Sequence, residues 1–257
     1  MTIDLNADLG ESFGAYQLGN DEALLRNVTS ANIACGLHAG DPGVIRRTVK
    51  LAIAAGVAVG AHPGFPDLQG FGRRELTMGT QEIEDVVLYQ VAALAGIVAA
   101  EGTRLRHVKP HGALYNMAAK DDRLAGAVAA GVAALDRSLV MVGPPNSALL
   151  SAAASRGLRV AAEAFADRAY QSDGSLVPRH VSGAVIHDPQ VVVQRAIRMA
   201  CASEVVAIDG TTLTLKVDTI CVHGDTPQAV SISSSLRKEL AEAGVTVEAL
   251  KLPPARV

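Results

Sequence analysis

Several side chains capable of acid–base chemistry stand at fixed spacings near the start of this sequence. Asp4, Asn6 and Asp8 alternate with apolar residues, and Glu11 follows closely. Side chains alternate between the two faces of a β-strand, so this spacing predicts one acidic face and one apolar face. Carboxylates gathered on one face could act as general bases, although a solvated strand edge would show the same alternation.

Histidines recur at the ends of later apolar runs. Five fall at a predicted strand end or in an adjoining loop, namely His38, His62, His111, His180 and His223, whereas His107 and His187 do not. Asp8, His38 and His62 could bind a divalent metal, because imidazole and carboxylate suit zinc and similar ions. No H-E-x-x-H or H-x₃-H spacing supports that site, and acid–base work by the same hydrogen-bonded groups is the alternative.

Lys109 precedes His111 at the end of another predicted strand. A buried lysine there would have its pKa lowered toward neutrality, and it could then act as a base or orient a carbonyl group. The alternative is that Lys109 pairs with a carboxylate at a neighbouring strand end. Either role makes Lys109 a candidate site residue, because an unpaired buried lysine is costly.

A loop over residues 63–74 is rich in glycine and proline and ends in Arg73 and Arg74. Loops of this length in a compact domain are often functional, and this one could close over a carboxylate substrate. A solvated loop would have a similar composition.

Two later segments add further polar groups. Glu163, Asp167 and Arg168 follow the sixth strand candidate, and His223 follows the last one. In a β/α barrel, the carboxyl ends of the strands and the loops after them build the active site. We therefore expect these side chains to join those from the earlier strands.

The elements that must position these groups alternate along the whole chain. Strands are predicted over residues 2–7, 30–35, 57–62, 106–109, 138–142, 158–162 and 219–223. Helices are predicted over residues 42–55, 81–100, 123–135, 147–155, 189–202 and 227–243. Asp41 and Thr80 are predicted to cap the first two helices. Two segments, 205–208 and 211–217, flank an Asp-Gly pair and predict a hairpin.

Seven β/α units in 257 residues predict one domain over residues 1–257, an α/β fold with a closed or nearly closed barrel. A doubly wound open sheet is the alternative. The net charge of −3 and the 3% aromatic content argue against nucleic-acid binding. Three cysteines without a C-x-x-C pair and an acidic N-terminal segment favour a cytoplasmic protein with no membrane association.

Several nucleotide and hydrolase motifs are missing from the sequence. It has no G-x-x-x-x-G-K-[ST], no G-x-G-x-x-G after a strand candidate and no G-x-S-x-G. Any nucleotide would have to be bound by other means.

The segments that carry these polar groups resemble the LamB/YcsF family. The matching blocks are DLNADLGE (4–11), ANIACGLHAGD (31–41), GAHPG (60–64), FGRR (71–74), VKPHGALYN (108–116), EAFADRAY (163–170) and CVHGD (221–225). The resemblance implies a seven-stranded TIM-like barrel of the glycoside hydrolase and deacetylase type. It also implies ATP-dependent hydrolysis of 5-oxo-L-proline to L-glutamate together with two partner subunits, B and C.

Within that reaction the sequence offers candidates for each role. Water activation falls to Asp8, Glu11, His62 or Glu163, and oxyanion stabilisation to Lys109 and His111. Candidate substrate-binding residues are Asn6, Arg73, Arg74, Asp167, Arg168 and His223. Two other functions stay open: a stand-alone metal-dependent deacetylase or amidohydrolase, and a non-catalytic substrate-binding subunit.

Overall fold

Short apolar strands and amphipathic helices assemble into a closed parallel barrel, and the computed structural model describes residues 1–222 and 229–251. The strands are β1 (Thr2–Leu9), β2 (Ser30–Ala34), β3 (Ala58–His62), β4 (His107–Val108), β5 (Val140–Gly143), β6 (Arg159–Phe165), β7 (Glu204–Val206), β8 (Thr212–Thr214), β9 (Thr219–Val222) and β10 (Thr246–Val247). Each of β1 to β5 pairs with the strand that follows it, and β9 pairs with β6 and β1. The predicted seven-stranded barrel is confirmed, and the open sheet is not formed.

Helices pack around the outside of this barrel. They are α1 (Asp21–Leu25), α2 (Pro42–Ala54), α3 (Thr80–Ala100), α4 (Gly112–Ala118), α5 (Asp122–Leu135), α6 (Ala148–Ser155), α7 (Pro189–Ala202) and α8 (Ala229–Glu242). The short helices α1 and α4 were not predicted, because one or two turns carry too little periodicity. The predicted start of α8 at residue 227 lies outside the described residues.

Of the two predicted helix caps, that of α2 is present and that of α3 is not. Asp41 Oδ1 accepts hydrogen bonds from the N–H groups of Gly43 and Val44, which confirms the predicted cap of α2. The predicted cap of α3 was wrong by one residue. Thr80 is already helical, and the N-cap is Gly79, whose N–H donates to Glu82. The Glu82 carboxylate, rather than a hydroxyl at the N-cap, thus satisfies a free backbone N–H at this end.

Helix α3 is the one described helix that is long and apolar enough to cross a membrane by length and composition. Its apolar residues have another explanation, because Ile83, Val87, Val91 and Leu94 are buried in the main core cluster of the barrel. The helix also packs along α5. Its composition therefore matches that of a core helix.

Two features lie outside the regular β/α repeat. Strands β7 and β8 form the predicted antiparallel hairpin, with shorter bounds than expected. Strand β10, which the sequence did not predict, pairs with Thr2 and Ile3 at the beginning of β1. Just after it, Leu250 packs against Val140 and Val142 at the amino end of the barrel.

The floor of the barrel interior is held together by a buried carboxylate. Asp4 accepts hydrogen bonds from the hydroxyls of Thr29, Ser30 and Thr219 at 2.7, 2.7 and 2.5 Å. Burial raises the pKa of Asp4 to about 6, although these hydrogen bonds act in the opposite direction. One acid thus links β1, β2 and β9 at a level below the carboxyl ends of the strands.

Stability should fall with rising pH because of Asp4. The folded-state pKa of Asp4 lies above the ordinary value of 3.8, so folding favours the protonated carboxyl. This contribution to the free energy of unfolding is fully present below pH 3.8. This contribution, about 3 kcal/mol, is lost as the pH rises through about 6. We expect Asp4→Asn to remove this part of the pH dependence in urea unfolding curves. Glu239→Gln, at an exposed position of α8, should keep the wild-type slope. An unchanged slope in Asp4→Asn would contradict the assignment.

Candidate functional site

The inner face of β1 supplies the first two groups of the site. Asn32 on β2 donates from Nδ2 to Asn6 Oδ1 at 2.7 Å and to Asp8 Oδ1 at 2.8 Å. Leu5 and Ala7 point the other way and are fully buried among the core residues. The predicted polar and apolar faces of β1 are therefore both present, and the polar face lines the barrel.

A buried histidine supports this pair from β4. His107 Nε2 lies 2.8 Å from Asn32 Oδ1. Burial and the nearby Lys109 charge lower the pKa of His107 to about 3, so the ring is neutral and Nε2 is the donor. A Cβ atom at Gly60 would lie 2.1 Å from this Nε2, so the glycine of β3 leaves the space that the ring fills. The sequence had placed His107 outside the cluster, although it shares a strand face with Lys109.

Lys109 is buried at the centre of the barrel and joins four elements. Its Nζ lies 2.8 Å from Glu163 Oε1, 3.0 Å from Asp8 Oδ1 and 3.1 Å from Cys221 Sγ. Burial alone would lower the pKa of Lys109, but the charges of Asp8 and Glu163 outweigh it and raise the pKa well above its usual range. The expectation of a lysine poised near neutrality was therefore wrong. The alternative, a lysine paired with strand-end carboxylates, is what forms.

Both carboxylate oxygens of Glu163 have hydrogen-bond or ion-pair partners. Oε1 accepts from Asn6 Nδ2 at 2.9 Å as well as from Lys109, and Oε2 accepts from the Tyr115 hydroxyl at 2.8 Å. The hydroxyl of Tyr115 has its pKa raised by burial and by the Glu163 charge, so it stays a donor. Glu163 and Asn6 thus lie one layer below the mouth of the barrel, where they hold Lys109.

Three histidines cluster above Lys109. His62 Nε2 lies 3.4 Å from Asp8 Oδ2 and 2.9 Å from His111 Nδ1. The ring of His38 stacks on that of His111, with centroids 3.9 Å apart and planes 8° from parallel. Glu11 completes the group, with Oε1 at 3.7 Å from His111 Nδ1. The convergence of His38, His62 and His111 predicted from the sequence is present.

The loop over residues 63–74 covers these histidines. Gln90 of α3 bonds both the N–H and the C=O of Gly64 and anchors the start of the loop. Farther along, Phe71 has a φ of 55°, which is unusual for a residue with a side chain. Its carbonyl lies 2.8 Å from His111 Nε2, and its ring meets the rings of His38 and His111 edge-on. The next residue, Gly72, has no room for a Cβ against either histidine.

The predicted anion-binding arginines have different surroundings. Arg73 is exposed and its guanidinium lies 4.9 Å from the centre of the Phe71 ring. Arg74 is ion-paired with the buried Asp67 inside the loop. Arg168 is buried and donates to the carbonyls of Val177 and Ala184, at 2.7 and 3.3 Å. Arg73 is therefore the one of the three whose guanidinium lies on the aromatic rim of the histidine cluster.

The other predicted residues lie around this centre. Asp167 is 9% exposed after β6, and the N–H of Ile186 donates to its backbone carbonyl. His180 is exposed. His223 lies outside the described residues. Sequence reasoning assigned no role to Phe71 or Tyr115, whose parts in the site depend on a backbone conformation and on a buried partner.

A divalent cation was predicted on Asp8, His38 and His62. The described group with ligand atoms within 4.8 Å of one another is instead Glu11, His38 and His111, which is compatible with a metal by residue type. Neither ring nitrogen of His38 has a hydrogen-bond partner among the described residues. The rings, however, are not oriented for an ion. Lone pairs of imidazole nitrogens lie in the ring plane, and those of two stacked parallel rings do not converge on one point.

The second obstacle to a metal on this group is that both nitrogens of His111 are already engaged, with His62 and with the Phe71 carbonyl. An ion would require the ring to leave both partners. No step proposed for this chain therefore passes through a metal.

Comparison with known proteins identifies the family. The sequence model of the LamB/YcsF family matches residues 3–254. The chain belongs to the LamB/YcsF family. It is 55% identical, over 249 residues, to a Methylococcus capsulatus protein named as the A subunit of 5-oxoprolinase, and the match covers 97% of this chain and 96% of that protein.

Solved structures agree with the barrel. A lactam utilization protein from Thermus thermophilus superposes on this LamB/YcsF chain with a TM-score of 0.92 and 48% identity, covering 97% of this chain and all of that one. A family 4 carbohydrate esterase from Streptomyces lividans aligns with a TM-score of 0.51 and 13% identity over 97% of this chain and 93% of that one. The second likeness shows the fold alone.

Removing the Lys109 charge should be strongly destabilising. Lys109→Met leaves Asp8 and Glu163 without their cation, so we expect a loss of about 3–5 kcal/mol in the free energy of unfolding. Lys238→Met is the matched control, because the Lys238 side chain is 75% exposed and pairs with Glu242 on the surface of α8. The control should change stability by less than about 0.5 kcal/mol in urea unfolding. Similar losses in both variants would show that the buried cation is not needed.

Proposed function

We propose that this chain is a subunit of an ATP-dependent 5-oxoprolinase and opens the lactam of 5-oxo-L-proline to give L-glutamate. The observation that carries the proposal is the set of two carboxylates, Asp8 and Glu11, which faces the histidines at the mouth of the barrel. Its support is the high identity to a relative named as the A subunit of 5-oxoprolinase. The reaction needs a water-activating base, a cation for the developing oxyanion and a binding group for the substrate carboxylate.

ATP and two partner subunits, B and C, belong to the same proposal. A lactam is a resonance-stabilised amide that water attacks slowly. Phosphorylation of its oxygen would make the carbon more electrophilic, so that water adds to it. The C–N bond would then break as the nitrogen takes up a proton, and hydrolysis of the resulting acyl phosphate would give L-glutamate and phosphate. The sequence has no P-loop motif. We therefore assign ATP use to the complex and lactam opening to the barrel of this chain.

Water activation is assigned first to Asp8 and Glu11. The Asp8 side chain is 11% exposed and that of Glu11 8% exposed, so both are close to the opening. Glu163, the third predicted acid, has both oxygens occupied by Lys109, Asn6 and Tyr115. Its part is to position Lys109, and not to take a proton from water.

Charge stabilisation is assigned to the buried Lys109 cation, and orientation of the substrate to His111, whose two ring nitrogens are both engaged. Lys109 is a full cation at neutral pH, because its pKa is raised, and preorganised cations in a water-poor site stabilise negative charge that develops on the tetrahedral intermediate formed when water adds. His111 is fixed by the Phe71 carbonyl in the stack with His38. The same surroundings would orient a flat lactam ring against the imidazoles.

Arg73 is the proposed contact of the substrate carboxylate or of a phosphate on the lactam oxygen. Its place on the Phe71 ring presents the guanidinium at the edge of the histidine cluster. We expect Arg73→Ala to raise KM for 5-oxoproline roughly 10- to 100-fold with a smaller change in kcat, because a charged hydrogen bond is lost. Arg123→Ala, on α5 with an 85% exposed side chain, is the control and should leave both constants unchanged. An Arg73→Ala enzyme with normal KM would remove Arg73 from the substrate site.

The proposed function is tested by reconstitution. The purified chain is assayed for 5-oxoproline-dependent ATP hydrolysis and glutamate formation, alone and after mixing with candidate subunits B and C. We expect turnover only in the mixture, and its loss when Asp8→Asn replaces the wild-type chain. Turnover by B and C without this chain would contradict the proposal. Amide hydrolysis by the chain alone, with stoichiometric bound metal and no ATP, would support the deacetylase alternative.

A further inference from the structure

Four residues form one row across the first four strands of the barrel. Asp8 on β1 is in register with Asn32 on β2, Asn32 with Gly60 on β3, and Gly60 with His107 on β4. A Cβ atom at Gly60 would lie within 2.4 Å of three atoms of the His107 ring. Because Gly60 has no side chain, the ring can reach across β3 and contact Asn32.

The side-chain amide of Asn32 fits this row in one orientation. Its Nδ2 lies 2.7 Å from Asn6 Oδ1 and 2.8 Å from Asp8 Oδ1, so each of the two amide hydrogens has an oxygen that accepts it. The reversed amide would bring three oxygens together with no hydrogen between them. The oxygen of Asn32 is therefore turned toward β4.

His107 supplies the hydrogen that this oxygen accepts. Its Nε2 lies 2.8 Å from Asn32 Oδ1, and an amide oxygen cannot donate, so Nε2 is the donor. The other ring nitrogen, Nδ1, is buried and has no hydrogen-bond partner among the described residues. A buried polar atom left unpaired costs free energy, which an aliphatic side chain would avoid. The bond to Asn32 is thus what a histidine offers here and an apolar residue would not.

The row ends on one oxygen of the Asp8 carboxylate. Oδ1 accepts from Asn32 Nδ2 and from Lys109 Nζ, which lies 3.0 Å away. The ammonium group has three donors that rotate, whereas the planar amide of Asn32 donates in a fixed direction. Together they set the rotation of the carboxylate, and Oδ2 is turned toward His62, with Nε2 at 3.4 Å. Oδ2 is therefore the Asp8 oxygen on the side of the histidine cluster.

We propose that His107 and Asn32 are positioning residues, which hold Asp8 so that Oδ2 is presented to the water that attacks the substrate. His107 acts through Asn32: it fixes the direction of the amide, and the amide fixes the carboxylate. The role in water activation rests on the proposed lactam hydrolysis, whereas the orientation of Asp8 does not.

Two substitutions of His107 separate its hydrogen bond from its volume. The amide nitrogen of His107→Gln can take the place of Nε2 and donate to Asn32, whereas His107→Leu has similar bulk and no donor. In the reconstituted complex we expect His107→Leu to lower kcat roughly 10- to 100-fold with little change in KM, because a misplaced carboxylate slows the chemical step. His107→Gln should recover most of kcat. Equal kcat values in the two variants would overturn the proposal.

Loss of stability is the competing explanation, and Ser233→Ala is its control. Ser233 on the outer helix α8 is buried and accepts a hydrogen bond from Asn27 Nδ2 at 3.2 Å. Its replacement should lower the midpoint of urea unfolding and leave kcat unchanged. A loss of kcat as large as that of His107→Leu would contradict a positioning role. If His107→Leu does not fold, His107→Asn replaces it, because the shorter amide ends near the position of Nδ1 and does not reach Asn32.

The orientation of Asp8 is measured without turnover, in crystal structures of the wild-type chain, His107→Leu and His107→Gln. We expect the contact between Asn32 Nδ2 and Asp8 Oδ1 in the wild type and in His107→Gln, and a rotated carboxylate in His107→Leu. An unmoved Asp8 carboxylate in His107→Leu would overturn the proposal. If no complex turns over, the proposed function fails, and these structures still decide whether His107 positions Asp8.

Discussion

A single buried ammonium group constrains the whole interior of this barrel. Lys109 reaches Asp8 on β1, Glu163 on β6 and Cys221 on β9 from its place after β4. An uncompensated charge at this depth would cost several kcal/mol, so the chain is folded correctly only when all of these strands have closed around it. The ion pairs of Lys109 therefore form only when the barrel has closed, and they also fix the geometry of the site.

The polar column above and below Lys109 sets this barrel apart from ones filled by branched aliphatic side chains. Asp4 lies at its floor, Asn6 and Glu163 form the layer beneath the lysine, and the stacked histidines lie above it. Most of the polar atoms in the column are matched to a partner from another strand. Buried networks of this kind lose much of their value when one member is missing, which makes them rigid and intolerant of single changes.

Much of this arrangement is readable from the sequence, because it depends on local rules. The period of two in β1 predicts which residues line the barrel, and the alternation of elements predicts seven strands. The features that the sequence does not predict depend on contacts between residues that are far apart in the chain. The pKa of Lys109 is raised because two carboxylates reach it, whereas burial by itself predicts the opposite. His107 was placed outside the cluster because its space comes from Gly60 on another strand. Strand β10, with two residues, is too short to show a pattern.

The amino end of the barrel has a cover made from the chain itself. Strand β10 adds to the beginning of β1, and Leu250 rests on the valines of β5. The histidine cluster lies at the opposite end, under the loop that carries Phe71. In the proposed reaction, substrate and products would pass the same rim at different times. A partner that hands over a phosphorylated lactam at that rim would then have to withdraw, or shift aside, before glutamate and phosphate could escape.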